Sequence, residues 1–288
     1  MNDGFINFNK AAGMTSHDAV NFLRKIFQTK KIGHGGTLDP SAVGVLPIAV
    51  GRAAKFLEYL ADCDKTYRAE ILFGTQTDSG DLEGKIISQI ENFSVPTLEE
   101  LQNVAKNFLG EIEQTPSKFS AIKINGRKAY DLARKNIDFE IPKRLVKIYR
   151  FEILSVEKNF VTAEIDCSKG TYIRTLAEDF GKSLNLPATL KSLQRIRVGN
   201  FTLEKSVTLE DLKISPEKFL LPIEDCLTFE KFFLPAHRIK AFLNGLPTDV
   251  REENKIVKVY SDEKFLGVGK IFNGELRSEK LKITELSV

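Results

Sequence analysis

The 288-residue sequence predicts an α+β fold with a small β-rich module at its C-terminus. Short helical and strand patterns follow one another in mixed order, unlike the regular strand–helix alternation of parallel α/β proteins. From about residue 231 onward, short alternating runs such as KIVKVYS and KFLGVGKIF are separated by polar turns. With 42% hydrophobic and 28% charged residues, the composition is that of a globular protein, and the length suits roughly two domains.

The N-terminal part begins with the pattern of a capped helix over 16–28. Thr15 can cap this helix, and Asp18 at the third helical position can complete a capping box. The apolar residues that recur at helical spacing are Ala19, Val20, Leu23, Ile26 and Phe27. A second, shorter helix is predicted over 53–61.

Alternating apolar residues predict strands around 67–73 and 161–167. Between them, Thr97 and Glu100 form another capping box, and the helix that they begin would end at Gly110. The order of these elements again favours an α+β arrangement.

The strand around 161–167 leads into SKGTYIRTLAEDFG, where apolar spacing predicts a helix from 173 that Gly181 would end. The stretch from Lys169 to Arg174 therefore lies at a strand-to-helix junction. Backbone N–H groups and the helix dipole favour an anion at such a place.

Composition also restricts where the protein is expected to work. No apolar run approaches the ~18–20 residues that a membrane span needs, and the N-terminus lacks the pattern of a signal peptide. Cys63, Cys167 and Cys226 stand far apart, without a CxxC pair. This pattern argues against a disulfide framework and predicts a reducing, cytoplasmic environment.

Charge is segregated along the chain. Residues 121–150 hold nine Lys/Arg against three acids, whereas residues 61–120 hold five against eleven. Residues 231–288 hold eleven against eight, which accounts for the whole net charge of +3. Such segregation suits a face that meets a polyanion, but two solvated surfaces of opposite sign would give the same counts.

The glycine-rich segment GHGGTLDPSAVGVLP, residues 33–47, presents a single carboxylate, Asp39. Pro40 biases the Asp39 backbone toward an extended form, and the glycines let a large ligand approach the main chain. An Asp-Pro turn explains the same residues without any chemistry. The segment has no P-loop, dinucleotide fingerprint, clustered metal ligands or GxSxG elbow. If Asp39 reacts, it acts as a nucleophile or base in its own right.

A carboxylate in a site that excludes water needs a cationic neighbour to stay ionised. Arg174 is a candidate because the junction helix begins there, and Arg52 and Arg68 are alternatives that spacing does not exclude. Tyr67 and Tyr172 are either core tyrosines or faces on which a base could stack.

Five segments in order resemble the TruB family of tRNA pseudouridine-55 synthases. They are HGGTLDPSAVGVLPIAVGRAAKF, DKTYRAEILFGTQTDSGDLEG, SAIKINGRKAYDLAR, SKGTYIRTLAEDFG and LKSLQRIRVGNF. In addition, GVGKIFNGELRSEKL is similar to the end of a PUA domain. The resemblance implies a pseudouridine synthase fold with a mixed, largely antiparallel central sheet flanked by helices and loops. It divides the chain into a catalytic domain (1–230), containing a basic RNA-clamping insertion (121–150), and a PUA-like RNA-binding domain (231–288).

The resemblance also implies a reaction, the isomerisation of uridine 55 in the T-loop of tRNA, with no cofactor or metal. Asp39 matches the essential aspartate, which would attack either C1′ or the uracil ring. Arg174 matches its arginine partner, and Tyr67 matches the tyrosine that stacks on the target base. His34 would fill the gap left by the flipped nucleotide. Further substrate-binding positions implied by the resemblance are Tyr172, Leu193, Lys10, Arg127 and Lys128.

Two departures from the family pattern are Ala11, where proline is usual, and Gln194, where a basic residue is expected.

The partner that the resemblance implies is tRNA, with no obligatory protein partner, no membrane and a monomeric chain. Two alternatives stay open. One is an RNA-binding or tRNA-folding module for which isomerisation is secondary. The other is a carbohydrate-active hydrolase that pairs Asp39 with a second carboxylate such as Asp166, Asp78 or Asp81.

Overall fold

The structure is a computed structural model that describes residues 3–120, 122–124, 126–135 and 137–282. The strands in chain order are β1 (Gly4–Lys10), β2 (Ile32–His34), β3 (Val43–Val50), β4 (Lys65–Phe73), β5 (Thr75–Thr77), β6 (Ile86–Gln89), β7 (Gly110–Gln114), β8 (Lys123–Ile124), β9 (Arg127–Lys128), β10 (Arg144–Glu157), β11 (Phe160–Cys167), β12 (Ala188–Val198), β13 (Phe201–Thr202), β14 (Glu230–Phe233), β15 (Thr248–Asp249), β16 (Lys255–Ser261), β17 (Lys264–Phe272) and β18 (Glu275–Leu281). The α-helices are α1 (Ser16–Ile26), α2 (Leu57–Ala61), α3 (Leu98–Lys106), α4 (Ala129–Arg134), α5 (Ile173–Ser183), α6 (Leu209–Ile214), α7 (Ile223–Cys226) and α8 (Ile239–Leu243).

The larger sheet has the strand order β1-β3-β12-β4-β11-β10-β7, with β2 paired to β3 and β13 to β12. Its pairings are antiparallel except between β12 and β3, which run parallel where Arg195 lies opposite Gly44. The predicted α+β class with a mixed, largely antiparallel central sheet is therefore confirmed. The parallel pair brings β12 against β3, the strand in which the glycine-rich segment ends.

Helices α1, α3 and α5 contribute to the core on one face of this sheet. The ring of Phe180 on α5 lies 6.1 Å from Phe73 and 5.0 Å from Phe151, measured between ring centroids. Burying one such side chain stabilises the fold by roughly 2–3 kcal/mol. The alternating residues that β4 buries in the same core are Tyr67, Ala69, Ile71 and Phe73.

The first predicted helix starts as expected but ends earlier. The Thr15 hydroxyl accepts from Asp18 N at 3.0 Å, and the Asp18 carboxylate accepts from Thr15 N at 3.0 Å, which completes the capping box. The helix ends at Ile26, with Phe27 as its C-cap, and does not reach residue 28. The helix predicted over 53–61 begins as a 3₁₀ turn over Gly51–Phe56 before α2.

Two predicted helix ends are wrong. Helix α3 ends at Lys106, and Gly110, with a φ of +92°, instead begins β7. Gly181 lies inside α5, which continues to Ser183. A Cβ at Gly181 would lie 2.3 Å from the Cβ of Ala188, so this glycine permits close packing of α5 against β12.

The C-terminal part forms a second sheet with the order β14-β16-β17-β18-β15. It has a core of its own and shares a second cluster with the first part, in which Phe56 and Phe265 lie 6.3 Å apart between ring centroids. The predicted β-rich C-terminal sheet is confirmed. The division at residue 230 stays a prediction. No helix in the described part of the chain is long and apolar enough to cross a bilayer.

Candidate active site

Asp39 and Arg174 meet at the edge of the central sheet. Asp39 lies in the loop between β2 and β3, and Arg174 lies in the first turn of α5. Arg174 Nε lies 3.2 Å from a carboxylate oxygen of Asp39, so the two side chains form an ion pair. The Asp39 side chain is 41% exposed, whereas that of Arg174 is 8% exposed. The carboxylate therefore faces the solvent side of the site, with the guanidinium buried behind it.

The other guanidinium nitrogens of Arg174 are also occupied. Nη1 donates to Ser79 O at 3.1 Å and to an Asp81 carboxylate oxygen at 3.2 Å, and Nη2 donates to Phe119 O at 3.4 Å. These bonds compensate a buried charge and hold the planar group in one orientation. The structure thus brings together the two residues that the sequence suggested as a pair.

Asp81 has a role here that the sequence did not indicate. Its Oδ1 accepts from Ser79 Oγ at 2.6 Å and from Glu83 N at 3.1 Å, while Oδ2 faces Arg174. These bonds hold the Asp81 carboxylate in the position from which it orients Arg174. Of the other carboxylates considered for a hydrolase, Asp166 contacts Thr66 on the opposite face of the sheet, and Asp78 is exposed.

Lys10 is buried behind the Asp39 loop and anchors it. Its ammonium group donates to the carbonyls of Ala11 (2.9 Å), Met14 (2.6 Å) and Pro40 (3.1 Å), and the residue has no exposed surface. Burial lowers the pKa of Lys10 to about 8, although the charge of Asp39 opposes this change. The structure therefore places Lys10 beneath the loop rather than at a surface that RNA could reach.

Two further contacts fix the same loop. The Ser16 hydroxyl accepts from Leu38 N at 2.9 Å and donates to Leu38 O at 3.1 Å. Asp39 O accepts from Ala42 N at 3.1 Å. The backbone on both sides of Asp39 is therefore held by the fold, and the carboxylate is presented in a defined place.

Tyr67 lies on β4 and is 9% exposed. Burial raises the pKa of Tyr67, and the nearby charge of Asp39 adds to this rise. The hydroxyl therefore keeps its proton at neutral pH. Arg195 is opposite Tyr67 in the β12–β4 pairing, and its positive charge opposes part of the rise in the Tyr67 pKa.

Arg195 is a site residue that sequence reasoning missed. It is 1% exposed, and it donates to Val45 O at 2.8 Å and to Gly36 O at 3.0 Å. Gly44 has a φ of +101°, and a Cβ there would lie 2.3 Å from Arg195 O. The glycine-rich segment thus lets β12 approach closely, and Arg195, opposite Tyr67 in the sheet, binds the carbonyls on either side of the Asp39 loop.

His34 ends β2, is only partly exposed, and accepts from Gly36 N at 3.4 Å through Nδ1. Burial lowers the pKa of His34, and the charge of Arg195 has the same effect, so the imidazole is neutral near pH 7. Because Nδ1 accepts a hydrogen bond, the ring proton is assigned to Nε2.

Tyr172 immediately precedes α5, and buried Gln114 holds its backbone at two points. Tyr172 N donates to Gln114 Oε1 at 3.0 Å, and Gln114 Nε2 donates to Tyr172 O at 3.3 Å. Leu193 is partly buried on β12, opposite Ala69 of β4. Tyr172 thus adjoins the helix that carries Arg174, and Leu193 lies on the strand that pairs with the Tyr67 strand, β4.

Arg127 and Lys128 form β9, in a hairpin with β8. Arg127 is exposed, and no contact in the described part of the structure joins it to Asp39 or Arg174. The side chain of Lys128 lies outside the described residues. Phe119, whose carbonyl accepts from Arg174, lies just before this hairpin.

Glu178 lies one helical turn beyond Arg174 and was not singled out from the sequence. Burial raises the pKa of Glu178 to about 7, with a further rise from Asp179 that Arg174 opposes. A Cβ on Gly80 would lie 2.8 Å from its carboxylate, so Glu178 packs directly under the turn that carries Asp81. Among the described residues, no group of three or more His, Cys, Asp or Glu could hold a metal ion.

Two family models match most of the chain. Residues 24–173 match "TruB family pseudouridylate synthase (N terminal domain)", and residues 174–228 match "tRNA pseudouridylate synthase B C-terminal domain".

Relatives named tRNA pseudouridine synthase B align with nearly the full length. The protein of Caldanaerobacter subterraneus subsp. tengcongensis is 42% identical over 97% of this chain and 99% of its own. The protein of Clostridium perfringens strain ATCC 13124 is 41% identical over 98% and 100%. The protein of Francisella tularensis subsp. novicida is 38% identical over 96% and 94%.

Solved structures share the fold. A Cbf5-Nop10-Gar1 complex matches with a TM-score of 0.76 and 26% identity, over 96% of this chain and 84% of that chain. A chain of an H/ACA RNP bound to a substrate RNA containing 2′-deoxyuridine matches with a TM-score of 0.76 and 23% identity, over 97% and 85%. With two consecutive family models and relatives near 40% identity over the full length, the chain belongs to the TruB family of pseudouridylate synthases.

Proposed function

We propose that this protein is a tRNA pseudouridine synthase that isomerises uridine 55 in the T-loop of tRNA. The observation that carries the proposal is the ion pair between partly exposed Asp39 and buried Arg174, beside Tyr67. The names of the full-length relatives support tRNA as the substrate. The basic segment 121–150 and the C-terminal sheet supply positive charge for RNA.

The target base must first leave the folded loop, at a cost of a few kcal/mol. Asp39 then meets the flipped nucleotide and attacks C1′ or the uracil ring. The N1–C1′ bond breaks, a C5–C1′ bond forms, the C5 proton is lost, and N1 gains a proton. Because the product is an isomer of the substrate, the reaction needs no oxidant, reductant or cofactor.

The neighbouring residues have separate roles in this proposal. Arg174 compensates the negative charge of Asp39 and fixes its position, and Asp81 holds Arg174. Tyr67, with its hydroxyl protonated, offers its ring as a stacking surface for the uracil. Neutral His34 fills the gap that the flipped nucleotide leaves in the base stack. Tyr172 and Leu193 complete the walls of the pocket.

We also propose that residues 1–230 catalyse the reaction and that 231–288 form a PUA-like RNA-binding domain. In this scheme the segment 121–150 closes on the T-loop. The protein works as a monomer without a protein partner, in a reducing cytoplasm that suits its three free cysteines.

The test is to map the product on defined tRNA transcripts. The purified protein should convert uridine 55 to pseudouridine, and a transcript with cytidine at that position should give no product elsewhere. Conversion of a different uridine would contradict the proposed specificity. Absence of pseudouridine in every transcript would contradict the proposed activity.

A further inference from the structure

Arg144 lies beside the active site without a role in the reaction described above. It begins β10, opposite Gln114 of β7, the residue that holds the Tyr172 backbone. The guanidinium carbon of Arg144 lies 5.4 Å from the centroid of the Tyr172 ring, within the range of a cation–π contact. Arg144, Gln114 and Tyr172 therefore form one packed unit next to the first turn of α5.

In the part of the chain that the structure describes, Arg144 has no carboxylate partner. Neighbouring Lys143 forms an ion pair with Glu113 at 3.0 Å, and Arg150 on the same strand pairs with carboxylates. Among the described residues, by contrast, no carboxylate lies within 4.0 Å of Arg144, and its Nε is buried without a hydrogen-bond partner. A partly buried guanidinium with an unused donor is costly unless an anion binds to it.

The surroundings also favour an anion. Gly170 has a φ of +80°, and a Cβ there would lie 3.3 Å from Arg144 Nη1, so the guanidinium lies close against the backbone of the strand-to-helix junction. The junction leads into the N-terminus of α5, an 11-residue helix whose dipole favours negative charge there. The unpaired guanidinium, the aromatic platform and the helix start thus lie together.

We propose that Arg144 binds a phosphodiester of the RNA substrate next to the nucleotide that enters the Asp39 site. The guanidinium fork can donate two parallel hydrogen bonds to phosphate oxygens, which the ammonium of lysine does not reproduce. Tyr172, held beneath the fork by Gln114, would pack against the adjoining sugar or base. This inference rests on the proposed function, because it assumes that RNA is the ligand.

The first test compares two variants that each remove one positive charge. Arg144→Met should weaken the binding of tRNA by about tenfold at low salt and reduce the slope of log affinity against log salt by about one. Arg68→Met is the control, since Arg68 already pairs with Glu164 at 3.1 Å on the opposite face of the sheet. The affinity of Arg68→Met for tRNA should stay within about twofold of wild type. An unchanged slope and affinity for Arg144→Met would overturn the proposal.

The second test identifies the phosphate and does not depend on isomerisation. T-arm RNA hairpins are prepared with a single neutral methylphosphonate at successive positions around the target uridine. At one position the replacement should weaken wild-type binding by about tenfold and have no further effect on Arg144→Met. Equal losses for both proteins at every position would overturn the proposal. If Arg144→Met does not fold, Arg144→Lys serves the same cycle, because it keeps the charge and loses the fork.

The two hypotheses fail in different ways. If wild type forms pseudouridine at position 55 but the methylphosphonate cycle shows no coupling, only the Arg144 inference is wrong. If the cycle shows coupling but no transcript is isomerised, the phosphate contact stands and the proposed activity does not.

Discussion

The two faces of the central sheet use arginine in different ways. On the face that carries Tyr67, Arg174 and Arg195 are buried; both donate to backbone carbonyls of loops, and Arg174 also pairs with Asp39 and Asp81. On the opposite face, Arg68 and Arg150 are 48% and 41% exposed and pair with carboxylates. Buried guanidinium groups that bridge loops position a site, whereas exposed ion pairs contribute little stability.

The contrast predicts the largest effect at Arg174. Arg174→Gln should lower the rate of pseudouridine formation by about 100- to 1000-fold, because Asp39 loses its cationic partner. It should also lower the free energy of unfolding by about 3 kcal/mol, since Asp81 stays buried without its arginine. Rates from tritium release and urea unfolding measure the two effects. Arg150→Gln is the control, and equal losses for both variants would contradict the distinction between the faces.

The next largest effect is expected from substitution of Arg195. Arg195→Met leaves the carbonyls of Gly36 and Val45 without their donor, which we expect to cost about 2–4 kcal/mol of unfolding free energy. Turnover should fall as well, because the Asp39 loop loses the anchor that Arg195 provides at Gly36 and Val45. Thermal and urea unfolding measure the first effect. A loss below about 1 kcal/mol would show that Arg195 does not hold the loop.

Glu178, on the face of the sheet that carries Tyr67, should make the stability of the protein depend on pH. Because burial raises the pKa of Glu178 to about 7 from 4.5, the folded state holds the proton more tightly than the unfolded chain. The stability that the protonated Glu178 carboxyl contributes is therefore fully present below about pH 4.5 and is lost as pH rises through about 7. Glu178→Gln should then stabilise the protein by about 1–2 kcal/mol at pH 8, after allowance for partial exposure, and by nothing at pH 4.5.

Urea unfolding of the wild type and Glu178→Gln across this pH range measures the difference. Glu263→Gln, at an exposed turn, controls for the loss of a charge. A stability difference that stays constant with pH would contradict the raised pKa.

The smallest effect is expected on the exposed face. Arg68→Met should change the free energy of unfolding by less than about 1 kcal/mol, and added salt should reduce this difference further. Urea unfolding at low and high salt checks the prediction. A loss above 2 kcal/mol that salt does not change would mean that this face also carries a buried, structural ion pair.

Local patterns in the sequence predicted the parts of the molecule that depend on neighbouring residues. The Thr15 capping box, the alternation of β4 and the helix start at Ile173 are all short-range features, and the structure has each of them. The α+β class follows from the order of such elements. The pairing of Asp39 with Arg174 was one of three options, and the ion pair at 3.2 Å distinguishes it from the others.

The remaining site residues depend on distant contacts that no local pattern shows. Arg195 reaches Val45 through the parallel β12–β3 pairing, across 150 positions of sequence. Register shifts in β12, between Leu190 and Ser192 and again after Arg195, also change which side chains face the core. Lys10 is buried for a similar reason, since one of its carbonyl partners, Pro40, lies 30 residues away.

The most direct test of the account is the chemistry of Asp39 itself. Asp39→Asn should release no tritium from tRNA that carries 5-tritiated uridine, while its affinity for tRNA stays within about threefold of wild type, because the amide keeps the shape but not the nucleophile. Asp262→Asn, at an exposed turn with a φ of +49° that asparagine tolerates, should behave as wild type. Release by Asp39→Asn at a rate near that of wild type would contradict the account.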